Sequence, residues 1–387
     1  MKRIYIEGLG LVDGHFSGVG QYIYGILKGL DEIIDEAKYT QKKPPVIKVI
    51  IPFDTISKFR SFGFKHIGYK SFPLSFKVMS ALWHRNKLPF IDLWCGKGFY
   101  IFPRFVSMPL LYNKSAIVIY DLSYELYRQY SDQGNADFLS NSVKRSIKKV
   151  SKVITISDNA AKEIVNFYKL PEHKVVVATP ATDPRIFYRR DKQEIDSVKL
   201  KYGIKKDYIL SLSNLEPRKN LDTLVNAYCS LPKKYLDKTS LLLVGVSGWK
   251  TDKLFKKIIN KVEEGYDIIR PSLYVHDDDK AAIISGAKLL VYPSHYEGFG
   301  MPPLEALACG VPVIVSNNSS LPQVVGKVAQ LFSSDDLDEL SILLRNSLEN
   351  IESLTKKTII DGPAQALNFS WVKSAQIYLD VAKECNS

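Results

Sequence analysis

The chain has 387 residues with 53 Lys and Arg against 41 Asp and Glu, a formal net charge of +12. This length fits two domains of about 150–200 residues each, and a hydrophobic content of 45% excludes a disordered chain. The sequence has no apolar run near the ~18 residues of a membrane-spanning helix, and its four cysteines form no C-x-x-C pair. We therefore expect a cytoplasmic protein with reduced thiols, without a disulfide framework or a zinc site.

The first half of the sequence predicts alternating strands and helices. The predicted strands cover residues 3–8, 45–51, 115–120, 151–157 and 174–178, and the predicted helices cover 20–37, 134–150 and 158–168. Glu7 interrupts the apolar run of the opening residues, so we expect a first strand there rather than a signal peptide. The region 55–113 is rich in Phe, Tyr and Lys and gives no clear pattern.

The positive charge is concentrated in this first half. Residues 1–185 contain 27 Lys and Arg against 16 Asp and Glu, a net +11, whereas residues 186–387 contain 26 against 25, a net +1. The densest cluster is the segment NSVKRSIKKVSK, with i,i+4 pairs formed by Lys144, Arg145, Lys148 and Lys149. Such a face suits nucleic acid, anionic lipid or a phosphorylated substrate, and an ordinary solvated helix face explains it equally well.

A segment rich in prolines and charges, residues 178–196, is the predicted linker. Beyond it, predicted strands cover 208–213, 240–246, 272–275, 288–293, 311–316 and 328–332. Predicted helices lie between them at about 220–230, 251–263, 279–286, 302–309, 321–326 and 335–350. Strands alternating with helices imply parallel sheets covered on both faces. We predict an α/β fold with two doubly wound, Rossmann-like domains, 1–185 and 186–370, and a C-terminal helix over 371–387 that packs back on the first domain.

Doubly wound sheets bind ligands at the carboxyl ends of their strands, so the loops that follow strands carry the functional predictions. In EGLGLVDGHFSGVGQY, Gly18 and Gly20 would let backbone N–H groups approach a phosphate at a helix start. The compact G-x-G-x-x-G fingerprint fails at Asp13, and a plain flexible loop is the alternative. In LSNLEPRKNLDTL, Arg218 and Lys219 precede a predicted helix, an arrangement that suits a diphosphate or, alternatively, a solvated basic turn.

The third loop contains the segment EGFGMPPLEALACGVPV. Pro302 and Pro303 suit the first turn of a short helix, and Gly310 suits its C-terminal cap. Glu297 precedes this helix and Glu305 lies in its first turn, with its side chain directed back towards the helix start. We predict that the two carboxylates face one pocket and accept hydrogen bonds from vicinal hydroxyls; the alternative is a solvated Glu297 and a Glu305 that only complements the helix dipole.

Three segments together resemble a known enzyme family. SNLEPRKNLDTLVNAY, YPSHYEGFGMPPLEALACGVPVIVSNNSSLPQVVG and FSGVGQYIYGIL resemble the retaining nucleotide-sugar glycosyltransferases of family 4, in the version seen in bacterial polysaccharide and O-antigen mannosyltransferases. The resemblance is strongest over about 208–345 and patchy before 115. It implies the GT-B architecture, in which two doubly wound domains face each other across a cleft.

The resemblance also implies roles on the donor side. Arg218 and Lys219 would neutralise the leaving diphosphate, Glu297 would contact the donor sugar, and Glu305 would bind the ribose hydroxyls. Arg218, Lys219 and Glu297 are thus the predicted catalytic residues. The remaining donor contacts would come from the backbone at Gly18, Gly20, Gly298, Phe299, Gly300 and Met301.

On the acceptor side, the resemblance implies that Tyr120, Asp121 and Ser157 line the cleft. Many relatives have His-Asp where this chain has Tyr120-Asp121, and that histidine is associated with the donor sugar. Tyrosine can stack and donate a hydrogen bond, but it carries no charge near neutral pH. Any catalytic role at this position is therefore in doubt.

The predicted reaction transfers a hexose from a nucleoside diphosphate to an acceptor hydroxyl, with retention of configuration. GDP-mannose is the favoured donor and a UDP-sugar the alternative. The expected acceptor is a lipid-linked glycan of bacterial surface polysaccharide, reached at the inner face of the cytoplasmic membrane by peripheral contact with anionic lipid. No cofactor or metal is required, because cations and helix dipoles neutralise the diphosphate. The alternative metal site, Asp277-Asp278-Asp279, precedes a predicted helix, where capping is the favoured role.

Other classes of protein fit the sequence less well. A nicotinamide-dependent oxidoreductase needs a compact glycine turn and an acidic residue about 20 positions later, and neither is convincing. No recognition motif accompanies the basic charge, so we expect no nucleic-acid partner. A nucleotide-sugar epimerase shares the GT-B architecture and remains an alternative, although the E-G-F-G segment favours transfer.

Overall fold

The computed structural model describes residues 3–13, 17–39, 44–84, 89–271 and 275–386. The chain divides into two compact units. Unit 1 comprises Met1–Pro180 and Ser370–Ser387, and unit 2 comprises Ala181–Phe369. The first boundary between the units follows residue 180, whereas the sequence analysis predicted it after residue 185. The second boundary follows residue 369, one residue before the predicted position.

Unit 1 contains a seven-stranded parallel sheet with the order β3-β2-β1-β4-β5-β6-β7. Its strands are β1 (Ile4–Glu7), β2 (Ile47–Pro52), β3 (Gly68–Phe72), β4 (Phe99–Phe102), β5 (Ser115–Val118), β6 (Lys152–Thr155) and β7 (Val175–Val177). The helices between them are α1 (Leu9–Val12), α2 (Gly18–Tyr39), α3 (Ile56–Ser61), α4 (Phe76–His84), α5 (Ile91–Cys95), α6 (Ser123–Leu126), α7 (Gln133–Lys149) and α8 (Asp158–Tyr168). The strands and helices predicted for this half are confirmed, and the sequence analysis missed β3, β4, α1 and α3 to α6.

Unit 2 contains a six-stranded parallel sheet with the order β10-β9-β8-β11-β12-β13. Its strands are β8 (Asp207–Leu212), β9 (Thr239–Val244), β10 (Ile268–Ile269), β11 (Leu289–Tyr292), β12 (Val313–Ser316) and β13 (Gln330–Phe332). Its helices are α9 (Lys192–Lys201), α10 (Leu221–Cys229), α11 (Lys233–Leu236), α12 (Asp252–Glu263), α13 (Asp277–Gly286), α14 (Met301–Ala308), α15 (Leu321–Val325), α16 (Leu337–Glu349) and α17 (Ile351–Ala366).

Five of the six strands predicted for unit 2 are confirmed. The sixth, predicted over 272–275, falls mostly on residues 272–274, which lie outside the described residues. The edge strand β10 is instead only two residues long and lies earlier in the chain. The interior strands β9, β11 and β12 are buried at every position, because helices cover both faces of a parallel sheet.

The last helix of the chain, α18 (Trp371–Asn386), belongs to unit 1 and packs on α2. Two glycines on α2 allow the close approach: a Cβ on Gly25 would overlap the indole of Trp371, and one on Gly29 would overlap the Trp371 carbonyl group. Ser374 anchors the same helix by donating a 2.6 Å hydrogen bond to the carbonyl of Thr179. Among the described residues, no helix combines the length and the apolar sequence needed to cross a bilayer.

Candidate active site

The densest cluster of buried charge in unit 2 lies where two neighbouring strands end. β8 and β11 are paired in the sheet, and the loops that follow them carry Arg218 and Lys219 on one side and Glu297 on the other. The backbone N–H of His295 donates a 2.9 Å hydrogen bond to the carbonyl of Arg218, which ties the two loops together. The topology of the sheet thus brings together residues about 80 positions apart in the sequence.

The loop after β8 ends in a 3-10 turn, Pro217–Lys219, followed by Asn220 with φ of 53°. Asparagine tolerates this left-handed conformation better than most residues, so it suits the junction with α10. Asn220 occupies the N-cap position of α10. Its side chain makes no capping hydrogen bond, however, because a cap requires extended backbone. Its Oδ1 instead accepts from the Thr223 hydroxyl at 2.7 Å, and its Nδ2 donates to the Ser334 carbonyl at 2.8 Å.

Glu297 accepts hydrogen bonds from both cations of the first loop. The Lys219 Nζ lies 2.5 Å from Glu297 Oε1, and the Arg218 Nη1 lies 3.1 Å from Glu297 Oε2. Arg218 also contacts Glu216 Oε1 through Nη2 at 2.8 Å, and donates to the carbonyl of Tyr296 at 2.6 Å. The four side chains form a cluster of two cations and two carboxylates with no net charge.

The pKa of Glu297 shows that this cluster holds the carboxylate ionised. Burial alone would raise the pKa, but the charge of Lys219, followed by that of Arg218, outweighs it and lowers the value to about 2. Burial lowers the pKa of the Lys219 ammonium, and the negative charge of Glu297 opposes that shift. Lys219 also donates to the hydroxyl of Tyr292 at 3.0 Å, which holds the ammonium at the end of β11.

The turn between Glu297 and α14 depends on Gly300. Its φ of 119° is unfavourable for any residue with a side chain, and an added Cβ would lie 2.7 Å from Leu321 Cδ2. The Ser320 hydroxyl lies 2.6 Å from the Phe299 carbonyl and 2.8 Å from the Glu297 carbonyl, so it fixes both ends of the turn. No local sequence signal identified this serine, since its role depends on the chain folding back 20 residues later.

The helix predicted at 302–309 is confirmed as α14, Met301–Ala308, with prolines in its first turn. Gly310, with φ of 68°, ends it as predicted: its N–H donates to the Leu307 carbonyl, and that of Val311 donates to the Ala306 carbonyl, both at 2.9 Å. The short helix presents its N-terminal end next to Glu297.

Glu305 lies beyond the first turn of α14, in which it was predicted, because the helix already begins at Met301; its side chain is buried, and the residue is only 1% exposed. Its Oε1 accepts a 2.7 Å hydrogen bond from Lys280 Nζ on α13, while its Oε2 is buried with no hydrogen-bond partner in the described part of the chain. Sequence reasoning did not single out Lys280. Glu297 and Glu305 therefore contact different cations, and the shared pocket expected for the two carboxylates stays a prediction.

The three acidic residues weighed as a metal site form the first turn of α13. Their carboxylates do not cap the helix as predicted, because they lie within it; there their charge complements the helix dipole. Asp279 Oδ2 accepts from Lys201 Nζ and from the Tyr202 hydroxyl, both at 2.6 Å. In the parts of the chain that the structure describes, no three His, Cys, Asp or Glu side chains are grouped to hold a metal ion.

In unit 1, Gly18 and Gly20 lie in the first turn of α2, at the helix start predicted for them. The Gly20 N–H points to the Ser17 hydroxyl at 3.4 Å, and Gly18 is exposed with open space around its Cα. The first backbone N–H groups of a helix can approach an anion. Whether those of α2 bind one stays a prediction.

The three residues predicted for the acceptor side follow β5 and β6. The buried Tyr120 donates a 2.8 Å hydrogen bond to the Pro103 carbonyl, and burial raises its pKa well above the usual value. Asp121 accepts from the Ser123 N–H at 2.9 Å. Ser157 is fully buried and caps α8 by accepting from the Ala160 N–H. These contacts give each residue a structural role, and their contact with an acceptor stays a prediction.

A buried carboxylate, Glu7, and a half-buried guanidinium, Arg104, lie at the carboxyl ends of β1 and β4, and the sequence analysis did not identify them as a site. Glu7 accepts from the Leu9 N–H at 2.5 Å, and burial raises its pKa against the opposing charge of Arg104. Glu7 Oε2 and Arg104 Nη1 have no hydrogen-bond partner among the described residues. The guanidinium lies over the ring of Trp83, 4.3 Å from its centroid.

Residues 192–358 match the family model described as glycosyl transferases group 1. The chain is 32% identical over 277 residues to the O-antigen chain mannosyltransferase B of Escherichia coli, a match that covers 71% of this chain and 70% of that protein. It is 28% identical over 258 residues to the serotype-specific mannosyltransferase WbdA of Escherichia coli, covering 65% of this chain but only 31% of WbdA.

Solved structures share the fold across nearly the whole chain. Sucrose-phosphate synthase from Thermosynechococcus elongatus superposes with a TM-score of 0.74 at 17% identity, covering 99% of both chains. Anabaena Alr3699/HepE in complex with UDP and glucose gives a TM-score of 0.69 at 15% identity, covering 98% of this chain and 99% of that chain. These likenesses, with the two doubly wound units, confirm the predicted fold class.

Proposed function

The chain belongs to the group 1 glycosyltransferases, and from that premise we propose that it transfers mannose from GDP-mannose to a hydroxyl of a glycan acceptor, in bacterial surface polysaccharide synthesis. The mannosyltransferase relatives support the sugar, and the buried cluster around Glu297 supports the donor site. A UDP-sugar is the second candidate donor, favoured by the likeness to a structure in complex with UDP and glucose.

The proposed chemistry breaks the bond between the anomeric carbon and the diphosphate oxygen and forms a bond to the acceptor oxygen on the same face of the sugar. Negative charge develops on the leaving diphosphate, and the acceptor proton moves to that leaving group. Arg218 and Lys219 stabilise this charge, with N–H groups at the start of α14. Both cations are paired with carboxylates, so we infer that they exchange part of these contacts for phosphate oxygens when the donor binds.

Glu297 would act by accepting hydrogen bonds from the donor sugar. With a pKa of about 2 it is a weak proton acceptor at neutral pH, which argues against a general-base role. The same negative charge next to the anomeric centre favours positive charge on the sugar as the bond to the diphosphate breaks. In this proposal Glu305 accepts from the ribose.

The acceptor side of the proposal rests on Tyr120, Asp121 and Ser157. Their shared position after β5 and β6, at the carboxyl edge of the unit 1 sheet, supports it. Because Tyr120 is buried and donates to a backbone carbonyl, we propose that it shapes this edge and takes no part in proton transfer. No metal or other cofactor enters the proposed reaction.

We also propose that unit 1 contacts an anionic membrane, where a lipid-linked acceptor would be available. Five large apolar side chains are exposed together on α5 and the loop before β5: Phe90, Leu93, Trp94, Leu111 and Tyr112. The buried Asp92 carboxylate accepts from the N–H groups of Leu111, Tyr112 and Asn113, so this apolar ledge is held as one piece. A cavity of about 120 Å³ beside it is lined by Phe90, Arg145 and Lys149, which places cations next to the ledge.

A donor panel tests the proposed function. The purified protein is incubated with GDP-mannose, UDP-glucose or NAD and a polysaccharide acceptor extract, and the released nucleotide and the glycan product are measured. We expect GDP release with mannose transfer, and Arg218→Ala should lower kcat/KM about a hundredfold, or about 3 kcal/mol. Arg345→Ala, at an exposed position on α16, is the control and should match the wild type.

Each of the other results is informative. Release of UDP alone would favour the second donor, and an epimerised nucleotide sugar without transfer would identify an epimerase. If Arg218→Ala retained wild-type kcat/KM, the diphosphate assignment would be wrong.

A further inference from the structure

Lys280 is the cation that contacts Glu305. It lies on α13, and its Nζ donates a 2.7 Å hydrogen bond to Glu305 Oε1, with side-chain exposures of 16% for Lys280 and 2% for Glu305. The ammonium also lies 5.4 Å from the centroid of the Phe187 ring, which gives it a second favourable contact. The Lys280 side chain is therefore held between an aromatic ring and a buried carboxylate.

This contact makes the two oxygens of Glu305 unequal. Oε1 has a charged donor, whereas Oε2 is buried and has no hydrogen-bond partner in the described part of the chain. A buried carboxylate oxygen without a partner is costly, and a hydroxyl group that donates to it removes that cost. A ligand hydroxyl that donates to Oε2 would complete the hydrogen bonding of this carboxylate.

We propose that Lys280 is a positioning residue that makes Glu305 recognise a single ribose hydroxyl. Lys280 holds Oε1 and compensates the buried negative charge, and Oε2 accepts from one hydroxyl of the nucleotide. Without Lys280, both oxygens would be available to a vicinal hydroxyl pair. This inference rests on the proposed function, since it assigns the ribose of the donor to Glu305.

Deoxynucleotides test the inference, because they remove the ribose hydroxyls one at a time. Binding of GDP, 2′-deoxy-GDP and 3′-deoxy-GDP is measured by calorimetry for the wild type, Lys280→Met and Lys280→Arg, with the UDP series in parallel. Wild type should bind one deoxynucleotide about ten- to a hundredfold more weakly than GDP, and the other within about threefold.

The variants separate positioning from simple structural support. Lys280→Met should weaken GDP binding and reduce the difference between the two deoxynucleotides, whereas Lys280→Arg, which keeps a charged donor, should retain the wild-type difference. Lys201→Met is the matched control: it removes another ion pair of α13, between Lys201 and Asp279 at 2.6 Å, and should change none of the affinities. If Lys280→Met does not fold, as judged by circular dichroism, Lys280→Ala, which also removes the donor to Oε1, replaces it with the same expected result.

Two outcomes overturn the inference: equal losses for both deoxynucleotides in the wild type, or an unchanged difference in Lys280→Met or Lys280→Ala. Glu305→Gln distinguishes this failure from a failure of the proposed function. If Glu305→Gln binds GDP as tightly as the wild type, the ribose assignment itself is wrong. If it binds more weakly while the Lys280 variants keep the wild-type difference, only the role of Lys280 is wrong.

Discussion

At the scale of single residues, Glu297 makes stability depend on pH. Its pKa in the folded protein, about 2, lies below its ordinary value of 4.5. Such a group contributes stability that is present above about pH 4.5 and lost as pH falls towards 2. Between pH 7 and pH 3 the wild type should therefore lose about 2 kcal/mol of unfolding free energy through this one carboxylate.

Glu297→Gln checks this prediction, because the amide does not titrate. Urea unfolding of both proteins at pH 7 and pH 3 should show a smaller loss in the variant. Asp196→Asn, which alters an exposed ion pair with Lys192, should follow the wild type. A variant whose stability falls as steeply as that of the wild type would show that Glu297 is not held ionised by its neighbours.

The sequence identified some of these residues and missed others for a physical reason. Arg218, Lys219 and Glu297 come directly after strands in recognisable segments, so their convergence follows from sheet topology. Lys280 and Ser320 act across the fold on residues 25 and 21–23 positions away. Lysines are common near the start of a helix, so the sequence does not mark Lys280 as a site residue. Only the packing of α13 on α14 shows that its partner is the buried Glu305.

At the scale of elements, the entry into α14 depends on the backbone conformation of Gly300. Gly300→Ala should destabilise the protein by about 1–3 kcal/mol, because alanine is strained at φ of 119° and its Cβ meets Leu321. Thermal unfolding measures this loss. Gly134→Ala, in the first turn of α7, is the matched control and should not destabilise, since its Cβ makes only an ordinary contact.

Adding Leu321→Ala sharpens the test of Gly300. Leu321→Ala removes the clash with the added Cβ but leaves the strained φ at position 300. Gly300→Ala should therefore cost less stability in the Leu321→Ala background than in the wild type, but it should still be destabilising. Full tolerance of Gly300→Ala alone would show that the turn can adopt another conformation.

Elements were predictable where their own sequence stabilises them. Strands such as β8, β9 and β11 are continuous apolar runs between helical segments, and they were found. The region 55–113 gave no pattern because its elements are short and depend on tertiary contacts. The five-residue α5 is an example: its Asp92 carboxylate is buried and binds the N–H groups of a loop almost 20 residues later. No local periodicity encodes such an arrangement.

At the scale of the whole molecule, the excess of positive charge in residues 1–185 predicts that binding to a membrane depends on anionic lipid. Vesicles of phosphatidylglycerol and phosphatidylcholine should bind the wild type in a flotation assay, and pure phosphatidylcholine should bind it less. Each cation at an anionic surface contributes about 1 kcal/mol, so neutralising four of them should weaken binding by up to about a thousandfold. The test variant carries glutamine at Lys144, Arg145, Lys148 and Lys149.

The control for this assay removes the same charge from unit 2. It carries glutamine at the exposed residues Lys192, Lys233, Lys234 and Lys253. This control should float like the wild type, because the proposed contact lies on unit 1. Equal losses of vesicle binding in both variants would indicate a general effect of net charge. Unchanged flotation of the test variant would show that α7 is not part of the proposed membrane contact.

The helix α18 gives the molecule an order of assembly. Unit 1 begins at the start of the chain, yet its last helix follows all of unit 2, so a ribosome makes the glycine-lined face of α2 more than 300 residues before the Trp371 that covers it. During synthesis the second unit is complete while the first still lacks a part. We expect the nascent chain to expose that face until α18 has been translated, so unit 1, whose strands are made first, is completed after unit 2.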